Sequence, residues 1–85
     1  MIEQILIENK FEHIRTFGNR KEYERSIGKH KMRVRPSKKS VLITYEYDKG
    51  IHKDMTSIRV THNKAIQLAV AFSCFEIFSD TPQVK

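Results

Sequence analysis

The sequence predicts a small α+β domain: a three-stranded antiparallel sheet packed on a hydrophobic C-terminal helix, with one or two helices at the N-terminus. Three observations carry that expectation. Residues 29–35 and 40–47 alternate with the period of two that belongs to strands. Residues 63–79 are apolar nearly all round, the pattern of a helix buried on more than one side. Ile7, Phe11, Ile14 and Phe17 follow one another at helical spacings of four, three and three. Eighty-five residues make one domain, 1–85, with a single core and little stability in reserve.

Residues 2–17 form the first predicted helix, in which Ile2 and Leu6 extend the stripe onto the preceding turns. A rival reading makes Ile2 to Ile7 a short strand, because Ile-Leu-Ile is equally at home there. Gly18-Asn19 interrupts the helix. Asn19 with Glu22 has the spacing of an N-cap and its capping-box partner, and Tyr23 with Ile27 gives one i,i+4 apolar pair before Gly28. A second helix over 20–27 follows from that pattern.

The strand 29–35 ends at Pro36, which cannot donate a ladder hydrogen bond, and Pro36-Ser37-Lys38-Lys39 reads as a turn. Residues 40–47 are the strongest strand of the chain, with Val41, Ile43, Tyr45 and Tyr47 on one face and Leu42, Thr44 and Glu46 on the other. Asp48-Lys49-Gly50 suits a three-residue hairpin loop with Gly50 left-handed. A third strand has its body at Met55 to Val60. Thr61 is placed to cap the last helix, in which Ala65, Leu68, Phe72 and Phe75 share one face and Ile66, Val70, Cys74 and Ile77 another. Three strands can cover only one of those faces, so the other should meet the N-terminal helix or a second subunit, and self-association through Ile66, Val70, Cys74 and Ile77 is the expected outcome. The tail, 80–85, reads as frayed.

Charge is distributed unevenly. Sixteen Lys and Arg against ten Asp and Glu give a net charge of +6 and a pI near 9.7. Residues 10–39 hold eleven of the cations and three of the acids, so the excess is local and points to a face for a polyanion. Lys29, Lys31, Arg33 and Arg35 fall on alternate positions. On a strand they share one face, with His30, Met32 and Val34 on the other, and sit roughly 6.6 Å apart, near the phosphate step of an extended nucleic-acid strand. With Lys38, Lys39, Arg20, Lys21 and Arg25 they form the candidate nucleic-acid-binding set. Fewer cations would suffice to guard an edge strand against aggregation. Tyr45 and Tyr47 are candidate base-stacking platforms, with Tyr23 a third, although tyrosines more often bury the ring and expose the hydroxyl. The five phenylalanines lie on helical stripes and belong to the core.

Other chemistry finds little support. His13, His30, His52 and His62 lack the spacings of a metal site, and no cofactor motif, phosphate loop or nucleophile elbow is present. No catalytic residue is assigned and the chain reads as a non-enzyme. Cys74 stands alone, which excludes an internal disulfide and fits a reducing cytosol. The start lacks a basic leader and no apolar run reaches membrane-spanning length.

The expected order of helix, three strands and C-terminal helix is similar to the double-stranded RNA-binding domain, and Lys64-Ala65 with Ala69 resembles the start of that family's last helix. His62 and Asn63 stand where the family has paired lysines, and its Gly-Pro-x-His loop is missing, so its helix-based phosphate grip is not carried over. In size, lysine-rich basicity and absence of motifs the chain also resembles small early proteins of T4-type phages. That resemblance implies binding of host nucleic acid or inhibition of a host nuclease or toxin. The leading expectation is a small basic binder of RNA, in preference to single-stranded DNA, that contacts phosphates through the basic strand and turn with little sequence preference. The alternative is a protein-binding inhibitor of a nuclease or toxin ribonuclease, and a third reading uses 20–27 as the recognition helix of a helix-turn-helix.

Overall fold

A computed structural model describes residues 2–74. Its elements are α1 (Ile2–Glu8), β1 (Glu12–Phe17), β2 (Arg20–Ile27), β3 (His30–Pro36), β4 (Val41–Asp48), β5 (Lys53–Val60) and α2 (His62–Ser73). The strands form one antiparallel meander in the order β1-β2-β3-β4-β5. The class is α+β as expected, but the sheet has five strands rather than three. The helix over 2–17 ends at Glu8, and the helix over 20–27 is strand β2. Phe75, Ile77, the predicted last turns of the C-terminal helix and the tail 80–85 lie outside the described residues.

The first correction comes from Lys10. Its φ of 66° is left-handed, while Lys10 N donates to Ile7 O at 2.9 Å and Phe11 N to Leu6 O at 2.9 Å. Those two bonds are the Schellman pattern, and its usual apolar contact is supplied by Leu6 and Phe11, both in the core. A lysine occupies the position where glycine normally announces the helix end. The hydrophobic stripe therefore appears continuous across a break, and Ile7, assigned to that stripe, is 60% exposed.

The second correction comes from two glycines ten residues apart. Phe17 pairs with Arg20, and Ile27 with His30, so Gly18-Asn19 and Gly28-Lys29 are two-residue hairpin loops. Each has glycine first, at φ 58° and 59°, as a II′ turn requires. The Tyr23–Ile27 spacing of four is also even, so it places both residues on one face of a strand as readily as on one face of a helix. The loop between β4 and β5 is longer than expected. It runs from Lys49 to His52, with Gly50 at φ 89° and its N–H donated to Asp48 Oδ1 at 2.8 Å.

Both helices pack on one face of the sheet. Ile2, Leu6, Phe11, Ala65, Ala69 and Phe72 join Tyr23, Ile27, Met32, Val34, Val41 and Ile43 in a single core. Thr61 Oγ1 accepts from Lys64 N at 3.1 Å and caps α2 as the sequence predicts. The opposite face of the sheet, called here the open face, is covered by no element among the described residues. The register places Arg15, Phe17, Glu22, Glu24, Lys31, Arg33, Arg35, Thr44, Glu46, Lys53 and Arg59 on it. No described helix is long and apolar enough to cross a membrane.

Candidate nucleic-acid interface

β3 carries the alternation the sequence predicts: Lys31, Arg33 and Arg35 point to the open face, while Met32 and Val34 enter the core. The long-range partners could not be read from β3 alone. Antiparallel neighbours β2 and β4 set acidic residues beside each cation. Arg33 donates Nε to Glu24 Oε2 at 3.1 Å and Nη2 to Glu46 Oε1 at 2.8 Å. Arg35 Nη2 donates to Glu22 Oε2 at 3.2 Å, and Arg15 Nε lies 3.1 Å from the other oxygen of the same carboxylate. Lys31 Nζ is 4.0 Å from Glu24, and Lys53 Nζ 3.5 Å from Glu46. Glu22 and Glu46 are buried under these partners. Arg35 also stacks its guanidinium over Phe17, 4.6 Å from the ring centroid, which makes that phenylalanine part of the open face rather than of the core.

The nine candidate cations therefore divide into groups. Lys31, Arg33 and Arg35 are held in a carboxylate network. Arg25 is buried on the helix side and its Nη1 donates to Asn9 O at 2.8 Å, beyond the last residue of α1. Lys29 sits in the β2–β3 turn, at the end of the sheet opposite the β3–β4 turn. Arg20, Lys21, Lys38 and Lys39 come together at that other end, where the β1–β2 and β3–β4 turns and the start of α2 all lie. They are exposed, and among the described residues none of the four forms an ion pair.

That end is concave. A cleft of about 910 Å³ is lined by Arg20, Lys38, Lys39, Asn19, His62 and Asn63, over apolar Ile2, Pro36 and Ile66, with Glu3 as the carboxylate among its lining residues. The β3–β4 turn is fixed by Ser37, whose N–H and hydroxyl both donate to Ser40 O at 2.8 Å. His62 Nε2 donates to Ser37 O at 2.7 Å and ties the turn to the first residue of α2. Lys38 and Lys39 thus project from a loop anchored at both ends. Arg59, which donates to Ser40 Oγ at 3.1 Å, and Lys64, in the first turn of α2, extend the positive charge around the rim. Among the described residues no group of His, Cys, Asp and Glu is arranged to hold a metal ion.

Tyr45 and Tyr47 occupy the helix side of β4, with the ladder on the other side of the sheet. Tyr45 pairs with Met32 across β3 and its hydroxyl is hydrogen-bonded to His30 Nδ1. His30 packs on both rings, 5.8 Å from Tyr45 and 4.8 Å from Tyr47 between centroids, and Tyr45 meets the edge of Phe72 at 6.5 Å. Tyr45 thus lies between His30 and Phe72, and Tyr47 lies against His30. Tyr23 is buried. Sequence reasoning missed His62, Asn63, Ser37 and Glu3 as cleft residues and Lys64 at its rim. Only Thr61, as a helix start, signalled that an N-terminus would come to this place. Comparison with protein-family models, with curated proteins and with solved structures finds no match for the chain.

Proposed function

We propose that the protein binds single-stranded nucleic acid, RNA or DNA, with little sequence preference, through the basic end of its sheet. Arg20, Lys21, Lys38, Lys39 and Lys64 contact phosphates there, and Arg59 adds charge at the rim. The observation that carries the reading is the separation of the cations into two populations. Arg15, Lys31, Arg33, Arg35 and Lys53, in the middle of the open face, are matched by Glu22, Glu24 and Glu46 at 4.0 Å or less. Those around the cleft have no carboxylate partner among the described residues. Unmatched cations gathered from three segments attract phosphates at long range and release counterions on contact. The sheet cations hold the platform that presents them.

The function so described makes its binding depend steeply on salt. If four cations neutralise phosphates, log K against log salt has a slope of about −3 for a single strand. Fluorescence anisotropy with a labelled 12-mer oligonucleotide between 50 and 300 mM salt measures it. A flat response overturns the reading. So does binding that persists unchanged when Lys38, Lys39 and Arg20 are replaced by alanine. A tight stoichiometric complex with an acidic protein, formed after nucleic acid has been removed, would move the same surface to a protein partner.

A further inference from the structure

Resting on that reading, we propose that the cleft receives the end of a nucleic-acid chain, with a terminal phosphomonoester held between Arg20, Lys38 and Lys39 and the last base laid on Ile2, Pro36 and Ile66. Three features of the cleft select this ligand. Its cations come from the start of β2 and from the β3–β4 turn and line one concave space. An internal phosphodiester carries a single negative charge, whereas a terminal monoester carries up to two and more free oxygens for charge-assisted hydrogen bonds. Concentrated cations therefore gain more from an end than from the middle of a strand.

The floor gives the second argument. Half-buried Ile66, with the edges of the buried Ile2 and Pro36, gives the cleft an apolar floor beneath the cationic rim, which is the division of a nucleotide into base and phosphate. A cleft of about 910 Å³ has ample room for a nucleotide. The third argument lies outside the cleft. Lys21, Arg59 and Lys64 carry positive charge beyond its lining residues and offer contacts to the phosphates of the adjoining nucleotides. A free mononucleotide could use none of them, so a chain end fits better than a soluble nucleotide. The start of α2 adds its partial positive charge on the same side.

The test uses the full chain and single-stranded 12-mers of one sequence with a 5′-phosphate, with a 3′-phosphate, or with hydroxyls at both ends. One phosphorylated end is expected to bind about tenfold more tightly than the hydroxyl-ended strand, the worth of one further charge-assisted contact. Lys38→Ala/Lys39→Ala is expected to abolish that preference while Arg33→Ala retains it. Equal binding of all three strands would overturn the chain-end reading and leave the proposed function standing. Absence of binding by every strand at low salt would instead remove the proposed function. A nucleoside monophosphate added as competitor should act only at millimolar concentration. Competition at micromolar concentration would reassign the cleft to a free nucleotide and overturn the proposal.

Discussion

Arg33 reaches from the central strand to Glu46 on β4, with Nη2 2.8 Å from Oε1, while its Nε is held by Glu24 on β2. One guanidinium thus ties three neighbouring strands together across the open face. Its partner Glu46 is almost fully buried, although among the described residues the face it lies on has no other element above it. The cations that most suggest a phosphate-binding ladder in the sequence are in this way the ones most fully used by the fold.

Stability and binding should therefore separate between two variants. Arg33→Ala leaves Glu46 buried without its closest partner and is expected to cost about 1–3 kcal/mol, discounted for the partial exposure of the arginine. Its affinity for single strands should stay within about twofold once the variant is folded. Lys39→Ala removes an exposed side chain from a turn and should change stability by less than about 0.5 kcal/mol. It should lower affinity at low salt and reduce the salt slope by about 0.7. Urea denaturation and anisotropy titrations on both proteins check the four outcomes together.

Glu3 gives a prediction of opposite sign. Its carboxylate lines the cleft among the cations and opposes an incoming phosphate. Glu3→Gln should raise the affinity for a single strand at 50 mM salt, and the gain should fade by 300 mM as the charge is screened. The same substitution removes an acid from the first turn of α1, where it is favourable, so the variant binds better while folding no more stably. Unchanged or weaker binding at low salt would place the nucleic acid elsewhere.

Lys10 shows how a helix end can be silent in the sequence. Backbone bonds and the Leu6–Phe11 contact mark a helix C-terminus, but the left-handed position is filled by lysine. Lys10→Gly and Lys10→Ala lose the same side-chain interactions and differ mainly in the strain at φ 66°. The glycine variant should be the more stable of the two by about 1–2 kcal/mol, read from urea midpoints at equal m-value. Equal stability would mean that the left-handed conformation is relieved when the side chain is removed.

The legible parts of the fold were those fixed by local chemistry. Thr61 as a cap, the alternation of β3 and β4, and the positive φ of Gly50 all follow from neighbours in the chain. The two N-terminal strands were hidden for a physical reason: Tyr23 and Ile27 satisfy both periods, and Gly-Asn and Gly-Lys interrupt a helix as plausibly as they close a hairpin. The candidate site was half legible. The cations were visible, but which of them a carboxylate would neutralise depends on register. Glu22 and Glu46 are 24 residues apart in the chain and meet the same strand from opposite sides.

Tyr23 carries the last prediction, for alkaline pH. Its ring is in the core, and burial raises its phenol above the usual value of 10.0, with the nearby Glu3 carboxylate raising it further. A phenol with a raised folded pKa holds its proton more tightly in the native state than in the unfolded one. The stability this contributes is complete below about pH 10 and is lost as pH rises through the folded pKa. Thermal melts should therefore fall more steeply above pH 10 in the wild type than in Tyr23→Phe, which has no proton to lose. The lysines titrate in both proteins, so the difference between the two curves isolates Tyr23. Because burial is the larger cause, Glu3→Gln should shrink that difference without removing it. Parallel curves for the wild type and Tyr23→Phe up to pH 11.5 would mean that the phenol reaches solvent before it ionises.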